Sequence, residues 1–177
     1  MITVEAHAKI NLTLEVQGRR PDGFHEIVSV VQTVSLHDTV TIQTADELSI
    51  SCDVEGLSPE DNLAFKAASL LRDRSDTTPG AHIEIEKRIP VAAGLGGGSA
   101  DAAATLNGLN ELWELGLPDD ELERIAVGLG SDIPYLLRGG TAMLSGRGER
   151  VRSLPAADLP WIVLFTPDLT IENKTAT

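Results

Sequence analysis

The sequence contains little cysteine, few positive charges and no long apolar run. Cys52 is the single cysteine in 177 residues, which excludes an internal disulfide and a cysteine-based metal site and is typical of a reducing cytoplasm. Lysines and arginines number 14 against 27 aspartates and glutamates, and the net charge of −13 argues against nucleic acid as a partner. No apolar run approaches the roughly 20 residues of a membrane span. The first residues also lack the basic and apolar regions of a secretory signal. We therefore expect a cytoplasmic protein with neither a nucleic-acid nor a membrane partner.

Glycine is abundant, and it is concentrated in one short stretch. Four of the five residues 94–98 are glycine, and they lie between a strand-like segment at 81–87 and an alanine-rich helix predicted to begin near Ser99. Glycine lets the backbone approach a ligand closely and adopt positive φ, and the free N–H groups of a helix start attract an anion. We predict a phosphate-binding loop here, because four glycines cost more chain entropy than a plain turn requires.

Two common phosphate-binding loops do not fit this stretch. The P-loop and the dinucleotide fingerprint both require glycine at the position that Ser99 occupies. The preceding strand at 82–87 alternates polar and apolar residues, whereas a central parallel strand is apolar throughout. The loop therefore belongs to another class.

The order of the remaining segments favours an α+β fold. Four or five strand-like segments precede the first helix, which predicts an antiparallel or mixed sheet instead of a βαβ series. Asn62 is predicted to cap that first helix. The predicted strands are 2–17, 27–34, 39–44, 48–52, 81–87, 141–144, 150–154 and 161–165, and the predicted helices are 62–74, 99–115 and 119–129.

Five polar or aromatic side chains stand out, and each has two interpretations. Lys9 and Asn11 share the polar face of the first strand, which is either a solvated face or part of a site. Phe24 and His25 follow a Pro-Asp-Gly turn, where an aromatic ring either covers the core or stacks on a ligand. Asp132 follows the end of a predicted helix, a position that is unfavourable for a carboxylate, and it either caps the turn or points into a site.

Three motifs together resemble the GHMP kinase superfamily. They are A-K-I-N-L at 8–12, P-V-A-A-G-L-G-G-G-S-A-D-A-A at 90–103 and G-S-D-I-P at 130–134. Segments 18–26 and 86–90 match one branch of that superfamily, and the resemblance continues to the end of the chain. It implies a fold like domain 2 of ribosomal protein S5, a mixed sheet packed on helices, with the ATP loop between a strand and a helix.

The resemblance also implies an activity and a set of site residues. The activity is ATP-dependent phosphorylation of the tertiary 2-hydroxyl of a methylerythritol that carries a cytidyl diphosphate, in non-mevalonate isoprenoid biosynthesis. Lys9 and Asp132 match the catalytic pair, Asn11 a pocket residue, and Phe24 and His25 the pair that recognises cytosine. Mg²⁺ is expected with ATP, and although the metal ligands stay unknown, the Ser99 hydroxyl is a candidate. The implied ATP-binding positions are Asn62, Lys87, Pro90, Gly94, Leu95, Gly96, Gly97, Gly98, Ser99 and Ala100.

Domain organisation is a further expectation from the resemblance. Residues 1–157 are expected to form the N-terminal, ATP-binding domain, and 158–177 to begin a second domain that this chain mostly lacks. The apolar strand at 161–165 would then be exposed and would promote self-association. Two alternatives stay open at this point. The first is a related kinase acting on another small alcohol, and the second is a nucleotide-binding fragment without turnover.

Overall fold

The computed structural model describes residues 1–54, 58–75, 80–157 and 159–166. In this part of the chain a six-stranded mixed sheet is covered by helices, which confirms the predicted α+β class. The strands are β1 (Ile2–Arg19), β2 (His25–Ala45), β3 (Leu48–Cys52), β4 (Gly80–Glu86), β5 (Thr141–Gly146) and β6 (Arg150–Ser153). The helices are α1 (Leu63–Arg72), α2 (Gly97–Leu112), α3 (Asp119–Leu129) and the single turn α4 (Ile133–Leu136), and a 3₁₀ turn spans Pro59–Asp61.

Strand β2 is the centre of the sheet. β1 pairs antiparallel with it along most of its length, and β4 and β5 pair with its two ends, also antiparallel. β3 joins β4 in parallel and β6 joins β5 antiparallel, so the order is β3-β4-β2-β5-β6 with β1 beside β2. The mixed sheet therefore depends on one long strand that carries neighbours on both edges.

The prediction of separate strands at 27–34 and 39–44 was wrong, because β2 is continuous. Its pairing with β1 passes from His7↔His37 to Lys9↔Thr33, so two residues of β1 correspond to four of β2. Such a bulge bends a strand without ending it. The polar residues between the two apolar runs therefore mark a bulge and not a turn.

The core lies between the sheet and α1, α2 and α3. Alternation along the first half of β1 places Ala6 and Ala8 in this core, and α2 contributes Ala102, Leu106 and Leu109. Helix α2 begins at Gly97 and not at Ser99, and it ends three residues before the predicted end. In α1 the buried side chains are Ala64, Ala67, Ala68 and Leu71, whereas Leu70 is 41% exposed. No helix in the described ranges is both long and apolar enough to cross a membrane.

The apolar run at 161–165 does not form the predicted strand. Trp161, Val163 and Phe165 are 100%, 91% and 85% exposed, and the run lies beside residues 32–36 of β2. An apolar run needs a backbone partner to become a strand, and the backbone N–H of Thr33 in this stretch of β2 already bonds Gly140. Self-association through this run and a domain boundary after residue 157 stay predictions, and residues 167–177 lie outside the described part.

Candidate active site

The glycine-rich loop runs from the end of β4 to the start of α2 and is largely exposed. Gly94 and Gly96 both have φ of +75°, a left-handed conformation that favours glycine. Gly96 occupies the N-cap of α2 and supplies no side-chain hydrogen bond. The first N–H groups of a sixteen-residue helix are therefore left without a side-chain cap, which is the arrangement that binds anions.

Strand β1 holds this loop directly. The backbone N–H of Lys9 donates to the Leu95 carbonyl at 2.9 Å, and the Leu95 side chain is part of the core. A Cβ placed on Gly96 would lie 3.0 Å from Cγ of Lys9, so the loop passes over the lysine side chain at the closest distance that glycine allows. Lys9 is therefore placed under the loop by a backbone bond and by side-chain packing.

Lys9 faces Asp132 across the site. Its Nζ lies 3.4 Å from Oδ2 of Asp132, and the two side chains are 10% and 32% exposed. Asp132 occupies the N-cap position of α4, but its side chain makes no capping hydrogen bond. As predicted, Asp132 follows the end of α3, and the structure adds that the short helix α4 starts immediately after it. Asp132 thus points toward Lys9 instead of closing the turn.

A chain of hydrogen bonds orients the Lys9 ammonium. Its Nζ donates to Oδ1 of Asn11 at 2.9 Å, and Nδ2 of Asn11 donates to Oγ of Ser29 at 2.7 Å. Ser29 is fully buried and donates in turn to the Thr13 carbonyl at 2.5 Å. Because Ser29 fixes the Asn11 amide, the oxygen of that amide faces the lysine. Asn11 therefore lies beside the Lys9–Asp132 pair, as a pocket residue would.

Phe24 and His25 lie at the start of β2, next to the turn between β5 and β6. The Arg147 guanidinium lies 5.0 Å from the centre of the Phe24 ring, a cation–π arrangement. Nδ1 of His25 is buried and makes no hydrogen bond within the described residues. A Cβ placed on Gly148 would lie 3.4 Å from Cβ of Ser131, the neighbour of Asp132. The same turn thus connects the Phe24 side to the Asp132 side of the site.

Lys87, matched to a nucleotide-binding position, lies in a buried group of charges. Its Nζ donates to Oδ2 of Asp38 at 2.5 Å and to Oδ2 of Asp101 at 2.6 Å. The other oxygen of Asp38 accepts from the backbone N–H groups of Arg88 and Ile89 at 2.5 and 2.7 Å. Asp38 therefore holds the segment that enters the glycine loop, and Asp101 belongs to the helix that leaves it.

This Asp38–Lys87–Asp101 triad is almost completely shielded from water. Asp38 and Asp101 are 0% and 4% exposed, and Oδ1 of Asp101 makes no hydrogen bond in the part of the chain described. Burial raises the pKa of Asp101 to about 7, although the attraction of Lys87 opposes the rise. Burial lowers the pKa of Lys87, but Asp101 and Asp38 outweigh burial and raise it overall.

The structure brings most of the predicted residues to one region. Pro90 and Gly94 to Ala100 form the loop and first turn of α2, and a Cβ on Gly97 would lie 3.3 Å from Nζ of Lys87. Asn62 is the N-cap of α1, as predicted, with its Oδ1 accepting from the Ala64 N–H at 2.9 Å. That oxygen is therefore already engaged within the fold.

Sequence reasoning missed four residues that shape the site. The signal for Asp101 was available, since it is a charged residue among the small and apolar residues of the first half of α2. Asp38 and Ser29 look like ordinary polar residues of strands, and Arg147 like part of a turn. Only the folded chain shows what these three contact.

Comparison with known proteins identifies the class of this fold. Residues 62–140 match the family model of the GHMP kinases N terminal domain. The matched segment runs from the N-cap of α1 through α4 and includes the glycine-rich loop and Asp132, so the chain is similar to these kinases over that segment. The crystal structure of the Methanococcus jannaschii mevalonate kinase shares the fold, with a TM-score of 0.65 at 14% identity over 88% of this chain and 56% of that chain.

The chain is also similar, at a higher identity, to curated proteins that share one name. A protein of Symbiobacterium thermophilum is 50% identical over 171 residues, which are 94% of this chain and 60% of that protein. One of Synechococcus sp. is 51% identical over 179 residues, which are 99% of this chain and 58% of that protein. Both are named 4-diphosphocytidyl-2-C-methyl-D-erythritol kinase. A crystal structure of 4-(cytidine 5'-diphospho)-2C-methyl-D-erythritol kinase matches with a TM-score of 0.75 at 37% identity, over 86% of this chain and 55% of that chain. The chain spans about 60% of the length of these curated relatives.

Proposed function

We propose that this chain carries the ATP-binding and catalytic residues of a kinase that phosphorylates the 2-hydroxyl of 4-diphosphocytidyl-2-C-methyl-D-erythritol. The observation that supports the proposal most is the Lys9–Asp132 pair, whose Nζ and Oδ2 lie 3.4 Å apart directly below the glycine-rich loop. Phosphoryl transfer depends on alignment and on charge stabilisation more than on covalent help from the protein. A carboxylate and an ammonium beside a phosphate-binding loop supply both.

In the proposed reaction Asp132 is the general base. It accepts the proton of the 2-hydroxyl as the hydroxyl oxygen forms a bond to the γ-phosphorus of ATP. The bond from that phosphorus to the oxygen bridging the β- and γ-phosphates breaks, and ADP leaves with its electron pair. Lys9 orients Asp132 and offsets the negative charge on the transferring group. Asn11 holds the Lys9 ammonium in place through its 2.9 Å hydrogen bond.

The glycine-rich loop is the proposed binding site for the triphosphate. The uncapped first turn of α2 offers backbone N–H donors, and the positive φ angles of Gly94 and Gly96 bring the loop backbone close to a ligand. Mg²⁺ would accompany ATP and neutralise phosphate charge, and the Ser99 hydroxyl in that turn offers the oxygen ligand that Mg²⁺ prefers. Lys87 follows β4 at the start of the loop, and Asn62 precedes Leu63, whose Cδ1 lies 3.8 Å from a Cβ placed on Gly98. These two residues complete the proposed nucleotide side.

Phe24, His25 and Asn11 are the proposed substrate side. An aromatic face can stack on cytosine, and the Arg147 guanidinium already covers one face of the Phe24 ring at 5.0 Å. Nδ1 of His25 is buried and has no partner among the described residues, so it has hydrogen-bonding capacity left for a ligand. Recognition of a cytidyl group would distinguish this site from those of kinases that act on small alcohols.

The experiment uses a chimera, because the chain spans about 60% of the length of its relatives. The chain replaces the matched part of the Symbiobacterium thermophilum relative, and ADP release is measured with 4-diphosphocytidyl-2-C-methyl-D-erythritol, mevalonate and homoserine. We expect turnover with the cytidyl substrate alone. Turnover of mevalonate or homoserine at a similar rate would contradict the proposed specificity. ATP binding by a folded chimera without ADP release from any substrate would contradict the proposed catalysis.

A further inference from the structure

Three potential metal ligands lie together on the sheet face that the helices leave open. Glu5 and His7 are two residues apart on β1 and therefore share a face, and His37 is directly opposite His7 on β2. Their neighbours Ala6 and Ala8 are buried in the core on the other face. One ligand atom from each of the three side chains lies within 4.8 Å of the others.

The two imidazoles are held in the form that suits metal binding. Nδ1 of His7 lies 3.1 Å from the Val34 carbonyl, and Nδ1 of His37 lies 2.8 Å from the Ser35 carbonyl. A carbonyl oxygen only accepts, so each Nδ1 carries the hydrogen and each Nε2 of the neutral ring has a free lone pair. Metal-binding histidines commonly donate their second ring N–H in this way. Both carbonyls belong to the bulged segment of β2.

The free nitrogens converge on one carboxylate. Nε2 of His7 lies 3.4 Å from Oε2 of Glu5, and Nε2 of His37 lies 3.8 Å from Oε1. The two rings meet edge to face, with centroids 5.4 Å apart and planes at 67°. A tetrahedral Zn²⁺ with bonds near 2.1 Å places its ligand atoms about 3.4 Å apart. The two distances from Glu5, 3.4 and 3.8 Å, are close to this spacing, and the Glu5 side chain is 62% exposed and therefore able to adjust.

We propose that Glu5, His7 and His37 form a binding site for a first-row transition-metal ion, with Zn²⁺ as its representative, separate from the candidate active site. Two imidazole nitrogens and one carboxylate oxygen suit Zn²⁺, whereas Mg²⁺ and Ca²⁺ prefer oxygen ligands throughout. Three protein ligands leave the fourth position to water. A salt bridge between Glu5 and one protonated imidazole is the competing explanation, but it does not require the second histidine, whose Nε2 also faces Glu5.

The site joins β1 to β2 immediately before the bulge from which Lys9 projects. An ion bound there links two residues of β1 to one of β2 across the register shift between His7 and Lys9. Because the ion binds the folded chain through residues distant in sequence, its binding raises the melting temperature. This effect does not depend on nucleotide or on the proposed phosphoryl transfer.

The test is metal titration of the 177-residue chain, purified without a polyhistidine tag and with excess Mg²⁺ present. Zn²⁺ binding is measured by calorimetry, and Co²⁺ is used as a visible probe of tetrahedral coordination. We expect one ion per chain, no competition by Mg²⁺ and a higher melting temperature. His7→Ala and His37→Ala should each weaken Zn²⁺ binding at least about tenfold, and Glu5→Gln should weaken it less.

His82→Ala is the matched control. His82 lies on β4 and hydrogen bonds Ser49 and Ser51, so its loss should leave Zn²⁺ affinity unchanged. NMR of the unmutated chain gives a second measurement that needs no variant. Zn²⁺ should shift the imidazole signals of His7 and His37 and not those of His25 and His82. Unchanged affinity in His7→Ala, shifts confined to His25 or His82, or one ion shared by two chains would overturn the site.

Discussion

Two lysines of this chain contact carboxylates near the glycine-rich loop, and their surroundings differ. Lys87 donates to two aspartates at 2.5 and 2.6 Å, and both aspartates are buried. Lys9 lies 3.4 Å from one aspartate, Asp132, whose side chain is 32% exposed. The first group has its hydrogen bonds largely satisfied within the fold, whereas the second leaves its carboxylate open to solvent.

The difference is the one expected between a charge group that stabilises the fold and one that takes part in chemistry. Taking charged groups out of water is costly, and it is tolerated when each has a well-placed partner. The Asp38–Lys87–Asp101 triad meets this condition and holds both ends of the loop. A base must instead reach a substrate proton, so it needs an accessible side chain with spare accepting capacity. Asp132 has both.

Removal of the triad lysine should have the largest effect. Lys87→Met leaves two buried carboxylates without a cation, and we expect the free energy of unfolding to fall by about 3–5 kcal/mol. Urea denaturation of the chain measures this change. Arg88→Met is the control, since Arg88 pairs with Glu86 at an exposed position and its loss should cost less than about 1 kcal/mol. Equal losses in the two variants would remove the distinction between the triad and the surface.

The triad should also give a characteristic pH dependence. The pKa of Asp101 is raised from 3.8 to about 7, so between these values the folded chain binds a proton that the unfolded chain releases. Stability from this group is therefore fully present below pH 4 and is lost as pH rises to 7, by at most about 4 kcal/mol. Asp101→Asn cannot titrate at this position.

Denaturation of wild type and Asp101→Asn across pH 3–8 tests this expectation. The wild-type free energy of unfolding, relative to the variant, should decline between about pH 4 and pH 7 and stay constant above. A relative increase over that range would contradict the raised pKa. Asp120→Asn is the reference variant, because Asp120 is an exposed carboxylate of α3 that pairs with Arg124 in solvent.

A substitution in the Lys9–Asp132 pair should change activity and not stability. In the chimera, Asp132→Asn removes the proposed base, and we expect kcat to fall at least about 100-fold, or about 2.7 kcal/mol in the barrier. ATP affinity should change little, because the loop is intact. Asp120→Asn again serves as control. Near-normal turnover in Asp132→Asn would return this residue to a structural role at the start of α4.

A pair of glycine variants isolates the contact between loop and lysine. Gly94 and Gly96 share φ of +75°, so alanine imposes similar backbone strain at either. Nothing lies within 4 Å of a Cβ on Gly94, whereas one on Gly96 would lie 3.0 Å from Cγ of Lys9. We expect Gly96→Ala to reduce kcat/KM about tenfold more than Gly94→Ala, or about 1.4 kcal/mol.

The two variants should be compared in the same chimera under the same conditions. The melting temperatures of both are measured as well, because strain alone should lower them equally. If kcat/KM falls equally in the two variants, the loss comes from backbone strain alone, and the contact of the loop with Lys9 contributes nothing to activity.

Much of the site was predictable because its signals are local. The clustered glycines indicate a loop with positive φ, and Gly94 and Gly96 adopt it. The cap at Asn62 was also confirmed, since it depends on neighbours a few residues away. The predicted alternation of β1 was confirmed only as far as Ala8, because Leu12, Leu14 and Val16 are 38%, 46% and 52% exposed. The continuity of β2 was not predictable, because a bulge and a turn use similar polar residues and only pairing with β1 distinguishes them.

The sequence by itself determined the strand that carries Lys9, the glycine loop, and the helix α3 that ends before Asp132, because turn chemistry and apolar periodicity act over a few residues. Tertiary structure decided which charges meet. Lys87 contacts Asp38 and Asp101 through the packing of β4 and α2 on β2, and Lys9 meets Asp132 through the placement of α4. His37 meets His7 only through the β1–β2 register. Such contacts join residues far apart in the chain, and sheet register and helix packing fix them where local preference cannot.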